Sequence, residues 1–158
     1  MDNQRIKIYE DNYQNLNSCL YPLIKVNCEF GKLKIEFKSL ADTGCDSGFV
    51  LLDYELELLK KAHEDFDLGE KGNSEPIPVT VADGHQIAAD VYFVCVEISG
   101  EKQLIDFVIL HPDTLIETAK VLAPGKISDI VPLIGRSFLN HFDVEFQGRA
   151  QKIAVFKY

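Results

Sequence analysis

Two stretches of alternating apolar and polar residues constrain the fold of this chain more than any other feature. The apolar positions are Ile24, Val26, Cys28 and Phe30 in the first stretch, and Leu33, Ile35 and Phe37 in the second. Gly31-Lys32 lies between the two stretches. Because successive side chains of a strand point to opposite faces, this two-residue period predicts a β-hairpin with one buried face.

Further strand patterns follow along the chain. Residues 91–98 are apolar on both faces and predict a buried strand, and residues 104–110 predict its neighbour. Near the C-terminus, residues 144–146 and 153–156 predict a closing hairpin. A short helix is predicted just before that hairpin, over residues 135–142.

A longer helix is predicted over residues 53–67, where apolar side chains recur at steps of three and four. Asp53 is the expected N-cap and Gly69 the expected stop. Glu57 and Lys61 are spaced to pair on one helix face. With these two short helices among many strands, the predicted fold class is mainly all-β.

The length of 158 residues fits a single domain. We expect residues 1–19 to form a polar N-terminal arm, partly ordered at best, and residues 20–158 to form the folded domain. Two insertions are predicted in that domain: an acidic helical one at 53–75, and a loop at 111–130 with one helical turn near 115–122. The acidic insertion is most simply a solvated helix face.

The charge and motif content exclude several classes of function. The net charge is −9, which disfavours binding to nucleic acid or to anionic lipid. No apolar run reaches the ~18–20 residues that span a bilayer, and the polar N-terminus does not read as a secretory signal, so we expect a soluble cytoplasmic protein. The four cysteines form no C-x-x-C pair, and no H-E-x-x-H or nucleotide-binding motif is present. We therefore expect no metal and no cofactor.

The chemistry is concentrated in the segment around Asp42-Thr43-Gly44, which follows a predicted strand and lies in a glycine-bearing turn. Alone, such a triplet is often only a turn with a cap. A second element lies far downstream, where Val131-Pro132-Leu133-Ile134 leads into Gly135-Arg136 and a short helix. Between them, Asp83-Gly84 has strand-like flanks and predicts a tight hairpin.

In this order, from about Leu20 to Phe156, the elements resemble the retropepsin-like aspartic proteases, single-domain enzymes that include retroviral proteases and short bacterial and archaeal relatives. The resemblance implies a closed acid-protease β-barrel with a flap hairpin, active as a homodimer. Asp42 would be the catalytic acid, Thr43 would brace the two active loops across the dimer, and Gly44 would let the backbone approach the substrate. Asp46 would contact the substrate backbone and pair with Arg136 of the Gly135-Arg136 motif.

Two features differ from the compact retroviral pattern. Cys45 stands where alanine or serine is common, and the two predicted insertions lengthen the spacing between the two motifs. Asp46-Ser47-Gly48 is itself an accepted variant of the catalytic triplet. We favour Asp42 because Leu40-Ala41 end the strand that leads into it, whereas Asp46 comes after the turn.

Peptide hydrolysis by carboxyl groups needs a general base for the water and a general acid for the carbonyl oxygen. Two such carboxyls about 3 Å apart share one proton. Since the chain supplies one suitable aspartate, we expect a two-fold homodimer with Asp42 at its axis, and the strand at 153–156 as a candidate for pairing across the interface.

The expected substrate is a peptide or protein. The hairpin tip over 82–86, including Ala82, Asp83 and Gly84, would close over it as a flap. Ile87, Val131 and Leu133 are candidate walls of an apolar substrate pocket. Two alternatives stay open: a catalytically silent dimeric peptide-binding module with the same fold, and a subunit that docks into a larger assembly through the arm or the acidic helix.

Overall fold

The structure is a computed structural model, and it describes residues 4–16, 18–81, 84–112 and 126–158. Twelve strands are found in these ranges: β1 Ile6–Asn12, β2 Gln14–Leu16, β3 Cys19–Tyr21, β4 Leu23–Phe30, β5 Leu33–Ala41, β6 Phe49–Leu52, β7 Ile77–Thr80, β8 Gln86–Ile98, β9 Glu101–His111, β10 Leu133–Ile134, β11 Asp143–Gln147 and β12 Lys152–Lys157. The helices are α1 Asp53–Ala62 and α2 Arg136–Leu139, and Ile127–Asp129 forms a 3₁₀ turn.

Six strands form a closed barrel in the order β4, β5, β10, β6, β9 and β8, and pairing of β8 with β4 completes the ring. Strand β7 pairs with the projecting end of β8 and forms a hairpin outside that ring. The predicted mainly β fold, with a closed barrel, a hairpin beyond it and two short helices, is confirmed.

The barrel interior is filled by aromatic and aliphatic side chains from the alternating strands. Phe49 lies between Phe37 and Phe107, with ring centroids 5.6 and 5.4 Å apart. Phe30 also packs against Phe107, at 5.6 Å. The predicted hairpin is present as β4 and β5, paired from Leu23–Leu40 to Phe30–Leu33. Aromatic pairs at these separations stabilise the core beyond the burial of their apolar area.

Strand β8 is buried on one face, whereas the sequence predicted burial on both. Val94, Val96 and Ile98 lie in the core, but Phe93 is 58% exposed. Phe93 faces away from the barrel because side chains alternate along a strand. An apolar residue on the outer face of the barrel therefore misled the prediction.

Helix α1 is shorter than predicted, because it ends at Ala62 and not near residue 67. His63 has extended backbone angles, and the turn that follows brings Phe66 onto Phe30, with ring centroids 4.6 Å apart. This core contact competes with continued helix. The N-cap is Leu52, so the expectation for Asp53 was wrong, and the predicted stop at Gly69 lies well beyond the helix.

The charge pairing on α1 also differs from the prediction. Lys60 pairs with Glu57 at 3.0 Å, one residue earlier than the expected partner Lys61. Both spacings place side chains on the same helix face, so the change is a choice between two neighbouring lysines one turn from Glu57.

The predicted N-terminal arm contains regular structure. Strand β1 pairs with β12 from Ile6–Lys157 to Asn12–Lys152, and β2 and β3 form a small hairpin of their own. Arg5 bridges Asp143 and Glu145 and lies over the ring of Phe156, 3.6 Å from its centroid. Residues expected to be partly ordered at best are therefore hydrogen-bonded to the end of the chain.

A three-stranded sheet in the order β1, β12 and β11 forms from the two ends of the chain. The predicted closing hairpin is present as β11 and β12. Strand β12 was the candidate for pairing with a second copy, and that expectation was wrong. Both edges of β12 are already hydrogen-bonded within the chain, so it offers no open edge.

Most of the predicted insertion at 111–130 lies outside the described residues, including the helical turn expected near 115–122. The described part, from Lys126 onward, contains the 3₁₀ turn that leads toward β10.

Candidate active site

Asp42 lies directly after β5, at the point where that strand meets β10. The two strands pair in parallel, with Ala41 opposite Ile134. The backbone N–H of Asp42 donates to the carbonyl oxygen of Ile134 at 3.0 Å, which continues this pairing by one residue. The backbone of Asp42 is therefore fixed by the barrel while its carboxyl group enters the following loop.

The loop 42–48 folds tightly around the Asp42 side chain. The N–H of Gly44 donates to Oδ1 of Asp42 at 2.9 Å, and the N–H of Cys45 donates to the Asp42 carbonyl oxygen at 3.2 Å. A β-carbon at Gly44 would lie 3.1 Å from that same Oδ1. Glycine at this position therefore allows a close approach of backbone to carboxylate. Thr43 and Gly44 are exposed, and Asp42 is half-buried.

The start of α2 packs against the far side of this loop. Gly135 donates its N–H to the carbonyl oxygen of Gly48 at 2.9 Å, and Arg136 donates its N–H to that of Cys45 at 2.8 Å. A β-carbon at Gly135 would lie 2.3 Å from the oxygen of Ser47 and 2.5 Å from that of Cys45. Only glycine fits between the loop and the helix at this point.

The guanidinium of Arg136 also forms an ion pair with the carboxylate of Asp46. The two motifs that the sequence singled out are therefore in contact, with Asp46 81% exposed and Arg136 50% exposed. This pairing also gives the two aspartates of the loop different surroundings. Asp46 is engaged by Arg136, whereas Asp42 lies at the end of the strand with its carboxylate held by a backbone N–H.

The predicted flap falls on the hairpin that β7 and β8 form. Thr80 pairs with Gln86, the N–H of Val81 donates to the oxygen of His85 at 2.9 Å, and Gly84 has a φ of +88°. A positive φ is what the predicted tight turn needs at this glycine. The predicted tip residues Ala82 and Asp83 lie outside the described residues.

An apolar cluster joins the base of this hairpin to the loop 42–48. Its buried members are Val50, Ala89, Val108 and Leu110, and the half-buried side chains packed on them are Cys45, Leu52, Val79, Ile87, Val91 and Leu133. The predicted wall residues Ile87 and Leu133 therefore share one cluster with Cys45 of the loop. Val131, the third predicted wall residue, is half-buried but is not a member of this cluster.

The thiol of Cys45 is in an unfavourable environment for ionisation. Burial raises its pKa, and the nearby negative charges of Asp42 and Asp106 raise it further. Because the thiolate is the reactive form, Cys45 behaves as a small packed side chain more than as a nucleophile.

One contact of the loop was missed by the sequence analysis. Gly48 donates its N–H to Oδ2 of Asp106 on β9, at 3.0 Å. The available signal was an acid between apolar residues, since Ile105 and Phe107 flank Asp106 in a strand that is otherwise buried there. Charged residues in such positions usually have a specific partner.

No protein-family model and no curated protein sequence matches this chain. Among solved structures, the chain is similar to an EIAV protease complexed with an inhibitor. The identity is 15% and the TM-score is 0.45, and the alignment covers 80% of this chain and 92% of that one. At that identity and TM-score, function has to be inferred from the residues of the site. Within the described residues, no helix is long and apolar enough to cross a membrane.

Proposed function

We propose that this chain is an aspartic endopeptidase and that Asp42 is its catalytic acid. The observation that carries the proposal is the way in which the Asp42 loop is held. A strand end fixes the Asp42 backbone, the N–H of Gly44 orients its carboxylate, and α2 locks the loop through Gly135 and Arg136. Rigid positioning of a carboxyl group is what general acid–base catalysis requires.

The proposed reaction uses two Asp42 carboxyls, one from each copy of a homodimer, which share one proton. The ionised carboxyl accepts a proton from water as the water oxygen attacks the scissile carbonyl carbon. The protonated carboxyl donates its proton to the carbonyl oxygen. The tetrahedral intermediate then breaks at its C–N bond: the carboxyl that took the proton from water gives it to the leaving nitrogen, and a hydroxyl of the intermediate returns a proton to the other carboxylate. No metal or cofactor is needed for this sequence.

The proposed substrate is a peptide lying between the loop and the β7–β8 hairpin. Asp46 is proposed to contact its backbone, and the flap tip, including Ala82, Asp83 and Gly84, is proposed to close over it. The apolar cluster that joins Ile87 and Leu133 supports a preference for hydrophobic side chains next to the scissile bond. Val131 is proposed to border the same pocket, and Thr43 to brace the two loops across the dimer.

The second copy has to approach by a route other than β12, whose edges are both occupied. An apolar face beside Asp42 offers such a route. The carbonyl oxygen of Pro22 accepts the N–H of Ala41 at 3.1 Å, so the residues of β3, which precede Pro22, lie next to the end of β5. There Leu20 is 46% exposed and Tyr21 is 37% exposed. We propose that this face, with the exposed Thr43-Gly44 backbone, meets its counterpart in the dimer.

The test is cleavage of a peptide library between about pH 4 and pH 7, read by mass spectrometry, for the wild type, Asp42→Asn and Asp46→Asn. Removal of a catalytic acid is expected to abolish cleavage, whereas Asp46→Asn is expected to retain part of it. Sedimentation of the wild type and of Leu20→Asp tests the dimer face. A folded wild-type dimer that cleaves nothing would favour the silent peptide-binding module, and cleavage that survives Asp42→Asn would reject the assignment of that acid.

A further inference from the structure

Asp106 holds the end of the active loop that is farther from Asp42. Its carboxylate accepts the N–H of Gly48, which is the last residue before β6. Asp106 lies on β9, the strand that pairs in parallel with β6 from Phe49–Phe107 onward. The side chain therefore adds one hydrogen bond to this ladder at the point where the loop joins it.

The surroundings of Gly48 show how closely the loop is pressed onto β9. A β-carbon at Gly48 would lie 2.8 Å from the carbonyl oxygen of Asp106 and 2.9 Å from Cβ of Ile105. The other polar group of Gly48, its carbonyl oxygen, accepts the N–H of Gly135. Asp106 and Gly135 thus hold the two backbone groups of one residue from opposite sides.

A hydrogen bond to an ionised carboxylate is stronger than one between neutral groups. The hydrogen bond from Gly48 to Asp106 also lies where the loop has no strand partner of its own, because regular pairing of β6 starts only at Phe49. A small displacement of Gly48 would be passed along the short loop to Asp42, and displacements of about 1 Å in a catalytic group can lower rates by about 100-fold.

We propose that Asp106 is a positioning residue for the active loop, acting on Asp42 through Gly48 and without touching the substrate. Its effect on catalysis rests on the proposed peptidase function. Its effect on the loop does not, because the hydrogen bond from Gly48 to Asp106 joins two groups of the chain itself.

The test compares Asp106→Ala, which removes the acceptor, with Asp106→Asn, which keeps an acceptor oxygen. Glu101→Ala is the matched control, since it removes an acid from the other end of β9. Amide hydrogen exchange at Gly48 is followed by NMR, and kcat and KM are measured on a peptide that the wild type cleaves. We expect at least about tenfold faster exchange at Gly48 in Asp106→Ala, and a fall in kcat of about 10–100-fold with little change in KM.

Asp106→Asn is expected to keep the exchange rate at Gly48 and kcat close to their wild-type values. Glu101→Ala is expected to change neither. Unchanged exchange at Gly48 in Asp106→Ala would overturn the inference whatever the activity. Faster exchange with an unchanged kcat would also overturn it, because the loop would then tolerate the loss of its anchor. If the wild type cleaves no peptide, the proposed function fails, while exchange at Gly48 still decides whether Asp106 holds the loop. If Asp106→Ala does not fold, the exchange rate of the Gly48 amide in Asp106→Asn decides. We expect that variant to protect this amide as well as the wild type does.

Discussion

The guanidinium of Arg136 contacts the carboxylate of Asp46, and so joins the first residue of α2 to the loop that carries Asp42. Both side chains are at least half exposed, so the pair stabilises the fold by no more than about 1 kcal/mol. Its main consequence is directional, because a planar guanidinium restrains the carboxylate that it meets.

We expect Arg136→Lys to lower the proposed peptidase activity more than it lowers stability. Lysine keeps the charge but loses the planar fork, so the loop is held less firmly. Thermal unfolding should change little, consistent with less than about 1 kcal/mol, while kcat should fall by about tenfold or more. Lys38→Arg, at an exposed position on β5, is the control. A loss of stability that accounts for all of the lost activity would contradict this expectation.

Gly135→Ala is expected to destabilise the protein strongly. The added carbon would meet two backbone oxygens well inside contact distance, and neither can rotate away. Overpacking of this kind costs about 1–3 kcal/mol or more. Gly148→Ala is the matched control, because a β-carbon there meets nothing within 4 Å. Urea unfolding of the two variants checks the prediction, and equal midpoints would contradict it.

The carboxylate of Asp90 is expected to make folding sensitive to acid. It contacts Lys71 at 2.5 Å and His111 at 3.0 Å, and His111 also lies 3.5 Å from Asp53. Burial raises the pKa of Asp90, but the hydrogen bonds from Lys71 and His111 outweigh this and lower it below its ordinary value. The stabilisation is therefore complete above that ordinary value and is lost as the pH falls from it through the lower folded value.

In Asp90→Asn, the urea midpoint should fall less steeply between pH 7 and pH 3 than it does in the wild type. His111→Gln should also increase hydrogen exchange in the segment around Lys71, which leads into the β7–β8 hairpin. His141→Gln, at an exposed site in the turn after α2, is expected to do neither. If the midpoint of Asp90→Asn falls as steeply with pH as that of the wild type, other carboxylates govern acid unfolding.

Glu55→Gln is expected to leave the protein as stable or more stable at neutral pH. Burial raises the pKa of Glu55, although its carboxylate accepts the N–H of Leu52 at 2.9 Å. Because the folded-state pKa lies above the unfolded one, the folded state loses stability as the pH rises through that window. Glutamine keeps an acceptor oxygen without the buried charge. Glu55→Ala should instead cost about 1 kcal/mol, and a cost of that size for Glu55→Gln would refute this account.

Alkylation should distinguish the cysteines. Cys19 is exposed and Cys28 is buried, whereas Cys45 is half-buried, and this burial raises its pKa together with two nearby acids. We expect iodoacetamide to label Cys19 first and Cys45 much more slowly, with Cys28 protected until unfolding. Time-resolved mass spectrometry of the labelled peptides checks the order. Rapid labelling of Cys45 would indicate that the loop opens.

Most of the features predicted correctly are set by local pattern. The two-residue period of β4 and β5 indicates a strand pair with one buried face, whatever the rest of the chain does. The Asp46–Arg136 contact was expected from a family resemblance and not from local pattern, because nothing near either residue indicates its partner. Likewise, Asp106 appears in sequence only as an acid within an apolar strand.

The features that were missed depend on contacts between distant segments. Strand β1 is polar along much of its length, and its pairing needs β12 from the other end of the chain. Helix α1 stops where Phe66 turns back onto Phe30, a contact that helical periodicity does not show. Tertiary packing outweighs local propensity in both cases.

The central place of β12 also sets an order of events during synthesis. Strand β1 is synthesised before the barrel strands, yet among the described strands its ladder partner is β12, which is synthesised after them. The barrel strands can pair while β1 still lacks a partner, so the nascent chain carries an unpaired strand until β12 has been synthesised and is free to pair. Contacts of such wide sequence separation form slowly. The sheet of β1, β12 and β11 therefore forms late, and β1 is open to aggregation until it does.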